Sequence, residues 1–206
     1  MNHCLHDLFN TSSKRNRFSR GLPDAFDMVN KRLPSNPAVG ILREQVIIGF
    51  FVSEFGIKNV NIPKHGTERG YDVILCGEEL SIKTVTNDTS FKILWTVDTD
   101  YVIQEMNVYE PKHDLFLVNI FWGQSKESAF YIPLSAQNDI CNFLGVNGYL
   151  SSATKTNNRG IEIRKKAVTH LKNHSDTISI TINWNTSNSK HFEPWEEWET
   201  YWRNIK

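Results

Sequence analysis

The chain has 206 residues, 39% of them apolar and 22% charged, and its 23 Lys and Arg balance its 23 Asp and Glu. That length suits one domain with a real core, and the zero formal charge excludes a generic polycationic coat for nucleic acid while allowing a local basic cleft. No apolar run reaches the roughly 18 residues of a membrane helix, and none follows a signal-peptide pattern. The longest apolar stretch, residues 46–52, is interrupted by Gly49. Three cysteines, Cys4, Cys76 and Cys141, are few and odd in number, which reads as a reduced, cytoplasmic protein.

Residues 1–37 read as a basic arm or as short helices laid over a partner. Lys14, Arg15, Arg17, Arg20, Lys31 and Arg32 stand there against Asp7, Asp24 and Asp27, punctuated by Pro23, Pro34 and Pro37. His3, Cys4 and His6 form a weak metal-like cluster in what reads as a disordered terminus. Residues 38–55 have helical spacing through Ile41, Ile48, Val52 and Phe55, widened by Leu42, Ile47 and Phe51, and Gly56 ends the helix. Glu44 lies on that apolar stripe, where a core residue is expected.

After Pro63, Gly66 and Gly70, residues 71–85 read as a β-hairpin. Residues 114–122 read as a buried strand, 129–134 as another, and 135–144 as a helix capped by Ser135. Helical spacing returns over 159–174 through Ile163, Ala167 and Leu171, a strand follows over 177–184, and a terminal helix over 194–201. This order predicts an α/β (α+β) fold with a mixed central sheet flanked by helices. One domain would span 1–206, with a core at 38–150 and DNA-contacting and C-terminal elements at 151–206.

The hairpin carries the chemistry. Strand alternation puts Val73, Leu75, Leu80 and Ile82 on one face and Asp72, Ile74, Glu79, Ser81 and Lys83 on the other. A turn at Gly77-Glu78, or over 76–79, would set Asp72 opposite Lys83, with Cβ atoms about 5 Å apart. A carboxylate, a hydroxyl and an ammonium would then share one sheet face, with Glu44 arriving from the preceding helix. Taken alone, an Asp–Lys pair reads as a surface ion pair.

Asp72 in Arg69-Gly70-Tyr71-Asp72, Lys83 in Ser81-Ile82-Lys83 and the helical Glu44 resemble the PD-(D/E)xK nuclease superfamily, over about residues 40–134. The form of the chain looks most like a type II restriction endonuclease. The resemblance implies that Asp72, Lys83, Glu44 and Ser81 are catalytic. It implies Mg²⁺ held by Asp72, Glu44 and the Ile82 backbone carbonyl, a hard ion suited to oxygen ligands. Ser81 stands where the family has Glu or Asp, so the missing carboxylate must come from elsewhere, from Glu44 or, as runner-up, Glu79. The implied activity is sequence-specific cleavage of double-stranded DNA by a homodimer, leaving 5′-phosphate and 3′-hydroxyl ends. A Holliday-junction or repair nuclease on the same core, and a DNA-binding protein with a decayed site, are the alternatives.

Lys64, His65 and Arg69 precede Asp72 and are placed near the scissile phosphate. Residues 155–172 hold Lys155, Arg159, Arg164, Lys165, Lys166 and Lys172 against Glu162 alone. Asn157, Asn158, Arg159, Lys165 and Lys166 there are candidates for DNA contact, or else a solvated helix face. Gly160 would permit close backbone approach. His170 and His174 at i, i+4 read as solvated, and Trp195, Trp198 and Trp202 as packing.

Overall fold

In this computed structural model, residues 2–32, 38–63, 70–96, 98–152 and 160–185 are described. A six-stranded sheet lies at the centre, in the order β1 (Val60–Asn61), β2 (Val73–Leu75), β3 (Glu78–Thr86), β5 (Asp114–Ile120), β6 (Ser125–Ile132), β9 (Ile178–Asn183). The β3–β5 pair is parallel and its other pairs are antiparallel, so the sheet is mixed, as expected. No helix among the described residues is long and apolar enough to cross a membrane.

Both faces of the sheet are covered, which explains the nearly continuous apolar run of β5. Phe116, Val118 and Ile120 point to one core, together with Leu80 and Ile82. Leu115 and Leu117 point to the other, with Phe130 and Ile132 of β6. The first core is closed by α1 (His3–Asn10), α2 (Ser12–Arg32) and α3 (Val39–Phe55). The second is closed by α5 (Leu134–Leu144), α7 (Lys165–Lys172) and a small sheet of β4 (Phe91–Leu94), β8 (Ile161–Ile163) and β7 (Leu150–Ser152).

Several expectations are corrected. Up to Arg32, the N-terminal arm is two helices built into the core. Phe18, Leu22, Phe26 and Val29 of α2 recur every three or four residues and are buried, with Pro23 inside the helix. Their stripe is narrow and flanked by cations, which hid it. Cys4 is buried in α1 and joined to Cys76 in a disulfide, so these two are not the free thiols expected, while Cys141 is a buried free cysteine.

In α3 the buried residues are Ile47, Ile48 and Phe51, whereas Ile41 is exposed. Ser135 does not cap α5. The helix starts after Pro133, and the Leu134 N–H donates to Asp114 Oδ1 at 2.8 Å. The helix expected over 159–174 begins only at Lys165, because Ile161 and Ile163 pair as strand β8. The sequence reading lacked β4, α4 (Thr99–Asn107), the short α6 (Val146–Tyr149) and β7. The expected helix at 194–201, with its three tryptophans, lies outside the described residues.

Gly160 does accept a close backbone approach, but from the protein itself. Its φ is +102°, and a Cβ there would overlap the Leu94 carbonyl on β4. Gly160→Ala is therefore expected to destabilise by about 2 kcal/mol or more. Thermal unfolding should show a Tm lower by roughly 4–8 °C; an unchanged Tm would mean that β4 and β8 separate without penalty.

Candidate active site

The hairpin forms where alternation predicts it, with a different turn. Val73 pairs with Leu80, Ile74 with Glu79 and Leu75 with Glu78, leaving Cys76-Gly77 as a two-residue turn. Both have positive φ, 52° and 88°, as a type I′ turn requires. The twist of paired strands favours that turn over one centred at Gly77-Glu78. Continued by one residue, the register sets Asp72 beside Ser81 and not opposite Lys83 as expected. The slip is two residues, so every side chain keeps its face.

The polar group converges all the same. Asp72 Oδ2 accepts from the Ile82 backbone N–H at 2.6 Å, from Ser81 Oγ at 3.2 Å and from Lys83 Nζ at 3.2 Å. Lys83 reaches Asp72 diagonally across the strands. The Asp72 and Lys83 side chains are 25% and 22% exposed, enough to meet a ligand from solvent. No donor among the described residues meets Asp72 Oδ1.

Glu44 is half-buried on α3, one turn before Ile47 and Ile48. Burial pushes its carboxyl up to about 7. The Lys83 ammonium opposes that rise and the Asp72 carboxylate adds to it, so Glu44 senses both members of the hairpin pair. Two carboxylates share a partly desolvated site with one ammonium, an oxygen-donor set that suits a hard divalent cation.

Glu79, the runner-up, is engaged elsewhere. One of its carboxylate oxygens lies 2.9 Å from His113 Nδ1, a contact too poorly aligned to be a hydrogen bond. His113 precedes β5, whose Asp114 pairs with Leu80, so the parallel register brings His113 beside Glu79. His113 and Lys112 line a cavity of about 350 Å³ with Gly70, Ser81, Tyr101 and Ile161. Sequence reasoning missed these two. The sole signal was a charged stretch before a buried strand, and only the β3–β5 pairing ties it to the hairpin.

Lys64, His65, Arg69, Asn157, Asn158 and Arg159 lie outside the described residues, as does Lys155. Gly70, which follows Arg69, lines the cavity, and so does Ile161, just after Gly160. Lys165 and Lys166 are exposed in the first turn of α7.

A mixed sheet bearing Asp72, Ser81 and Lys83 on its hairpin, with a helical glutamate beside them, is the arrangement expected of a nuclease of the restriction-endonuclease type. More particularly, residues 16–204 match the family model "Restriction endonuclease ThaI", and the chain belongs to that family of site-specific deoxyribonucleases. A solved structure described as a restriction endonuclease in complex with substrate DNA is similar at 32% identity and a TM-score of 0.88. The match covers 97% of this chain and 98% of that one. No curated protein matches.

Proposed function

We propose that this protein is a Mg²⁺-dependent type II restriction endonuclease. It would cleave both strands of a specific duplex site as a homodimer, leaving 5′-phosphate and 3′-hydroxyl ends. The observation that carries the reading is the convergence of Asp72, Ser81 and Lys83 on one hairpin face, within electrostatic reach of Glu44. Family membership and the likeness to a DNA-bound restriction endonuclease support DNA as substrate and disfavour the resolvase and decayed-site alternatives. Two copies related by a two-fold axis would match a palindromic site. One nuclease domain spanning the chain, in the cytoplasm, completes the reading.

Asp72 and Glu44 would hold the metal, with the Ile82 carbonyl as a backbone ligand. Bound there, the ion supplies Lewis-acid polarisation of the phosphate and a lowered pKa for water. The Ile82 N–H and the Ser81 hydroxyl hold Asp72 by Oδ2 and leave Oδ1 for coordination. The Lys83 ammonium, 3.2 Å from Asp72, would stabilise the negative charge that builds up at the phosphate during attack. Glu44 adds the carboxylate that Ser81 lacks. Digestion of a long DNA of known sequence with Mg²⁺, and mapping of the ends, tests the reading. Cleavage at one repeated sequence is expected; random cuts, or none with folded protein, would overturn it.

Two further outcomes follow from the site. Glu79→Gln is expected to retain cleavage within about tenfold, because Glu79 meets His113 instead of the Asp72–Lys83 pair. A dead Glu79→Gln beside an active Glu44→Gln would reverse the ligand assignment. Replacing Lys165 and Lys166 together with Ala is expected to weaken DNA binding and flatten the slope of log K against log salt. Each lost phosphate contact changes that slope by about 0.9. Salt titration with Ca²⁺ in place of Mg²⁺ reads this; an unchanged slope would return α7 to a solvated face.

A further inference from the structure

The first turn of α1 and the turn of the catalytic hairpin meet, although 72 residues separate Cys4 from Cys76. One ligand atom each of His3, Cys4 and Cys76 lies within 4.8 Å of the others. We propose that, with Cys4 and Cys76 reduced, these three side chains form a binding site for a zinc-class ion, separate from the catalytic carboxylates. The proposal does not rest on the nuclease reading.

Donor chemistry is the first argument. Two sulfurs and one imidazole suit a borderline-soft tetrahedral ion with Zn–S near 2.3 Å and Zn–N near 2.0–2.1 Å, and they suit Mg²⁺ poorly. Three protein ligands leave the fourth position to water, consistent with His3 lying exposed at the edge of the cluster. The two metal sites would thus be separated by ligand softness: oxygen donors around Asp72 and Glu44, sulfur and nitrogen here.

The second argument is preorganisation. Asn2 is fully buried, and its side-chain oxygen accepts from the Cys4 and Leu5 N–H groups as the cap of α1. Its Nδ2 donates to the Leu75 carbonyl at 2.9 Å, and its backbone N–H donates to Tyr131 Oη at 2.7 Å. The helix start is therefore fastened to β2 and β6 by hydrogen bonds that involve neither sulfur.

The third argument is Cys76 itself. The first position of a type I′ turn favours Asn, Asp or Gly, yet a cysteine holds it at φ +52°. A residue tolerated in that conformation fits a side chain with a task. The disulfide is the oxidised form of the same pair. A cellular dithiol would reduce it, becoming a disulfide itself, and the ion would then displace two thiol protons to solvent.

The test uses the full chain with a free N-terminus, reduced and kept anaerobic, with added Zn²⁺ or Co²⁺. One ion per chain is expected, with a thiolate-to-cobalt charge-transfer band and a Tm raised by Zn²⁺. Cys4→Ser and Cys76→Ser should each abolish the band. His3→Ala leaves an exposed position and both thiols, so it should fold normally and weaken binding at least roughly tenfold. Absence of the charge-transfer band, binding unaffected by His3→Ala, or a disulfide that survives purification in reductant would each overturn the proposal.

Discussion

Asp72→Asn and Lys83→Met are each expected to lower single-turnover cleavage by at least ~10³-fold while leaving specific DNA binding in Ca²⁺ largely intact. Asparagine keeps an oxygen that can still accept from the Ile82 N–H and Ser81 hydroxyl, so the hairpin should hold its geometry. What disappears is the negative charge that would bind the ion and hold the Lys83 ammonium at 3.2 Å. Methionine fills the space of Lys83 without its charge. Neither pair member lies in the apolar cores, so folding is not the weak link. Near-normal cleavage by either folded variant would remove the hairpin from the chemistry.

Glu44→Gln is expected to separate stability from activity. Burial holds this carboxyl up to about 7 in the folded protein, against an ordinary value of 4.5. The folded state therefore binds this proton more tightly than the unfolded state does. Without metal, stability is full below about 4.5, falls as pH rises towards 7, and stays lower above it. A shift of this size represents up to roughly 3 kcal/mol, of which a partly exposed group delivers a fraction.

The metal-free Glu44→Gln protein should thus unfold at a higher temperature than the parent at pH 8, and at a similar temperature near pH 4. Its cleavage should collapse by several orders of magnitude, because the second carboxylate is gone. Mg²⁺ should also raise the Tm of the parent and not of the variant. In the parent, cleavage at limiting Mg²⁺ should fall as pH drops through about 7, since protons and the ion compete for Glu44. An active Glu44→Gln enzyme, or one less stable at pH 8, would place Glu44 outside the metal shell.

Much of the nuclease core was legible because local patterns there agree with tertiary demands. The α3 periodicity, the alternation of β2 and β3, and the apolar run of β5 each have one good solution, a layered mixed sheet. Glu44 stood out because a carboxylate on an apolar stripe is anomalous in a core and useful in a site. The turn was less legible. The two turns read from the sequence and the Cys76-Gly77 turn that forms all preserve the alternation of faces, and only strand twist, acting through positive φ at Cys76 and Gly77, selects among them.

The amino-acid pattern by itself determined which side chains share the polar face of the hairpin, because a two-residue slip in register leaves side-chain parity unchanged. That Glu44 joins Asp72, Ser81 and Lys83 was implied by the family resemblance and not by the pattern. Tertiary structure alone decided which pairs meet. Asp72 lies beside Ser81 and holds Lys83 diagonally, Glu79 is drawn to His113 by the parallel pairing of β3 with β5, and Cys4 is carried to Cys76 by a helix capped on the hairpin. The physical reason is range. Alternation and periodicity act over a few neighbouring residues, whereas these contacts join segments whose approach depends on how two separate cores pack on opposite faces of one sheet.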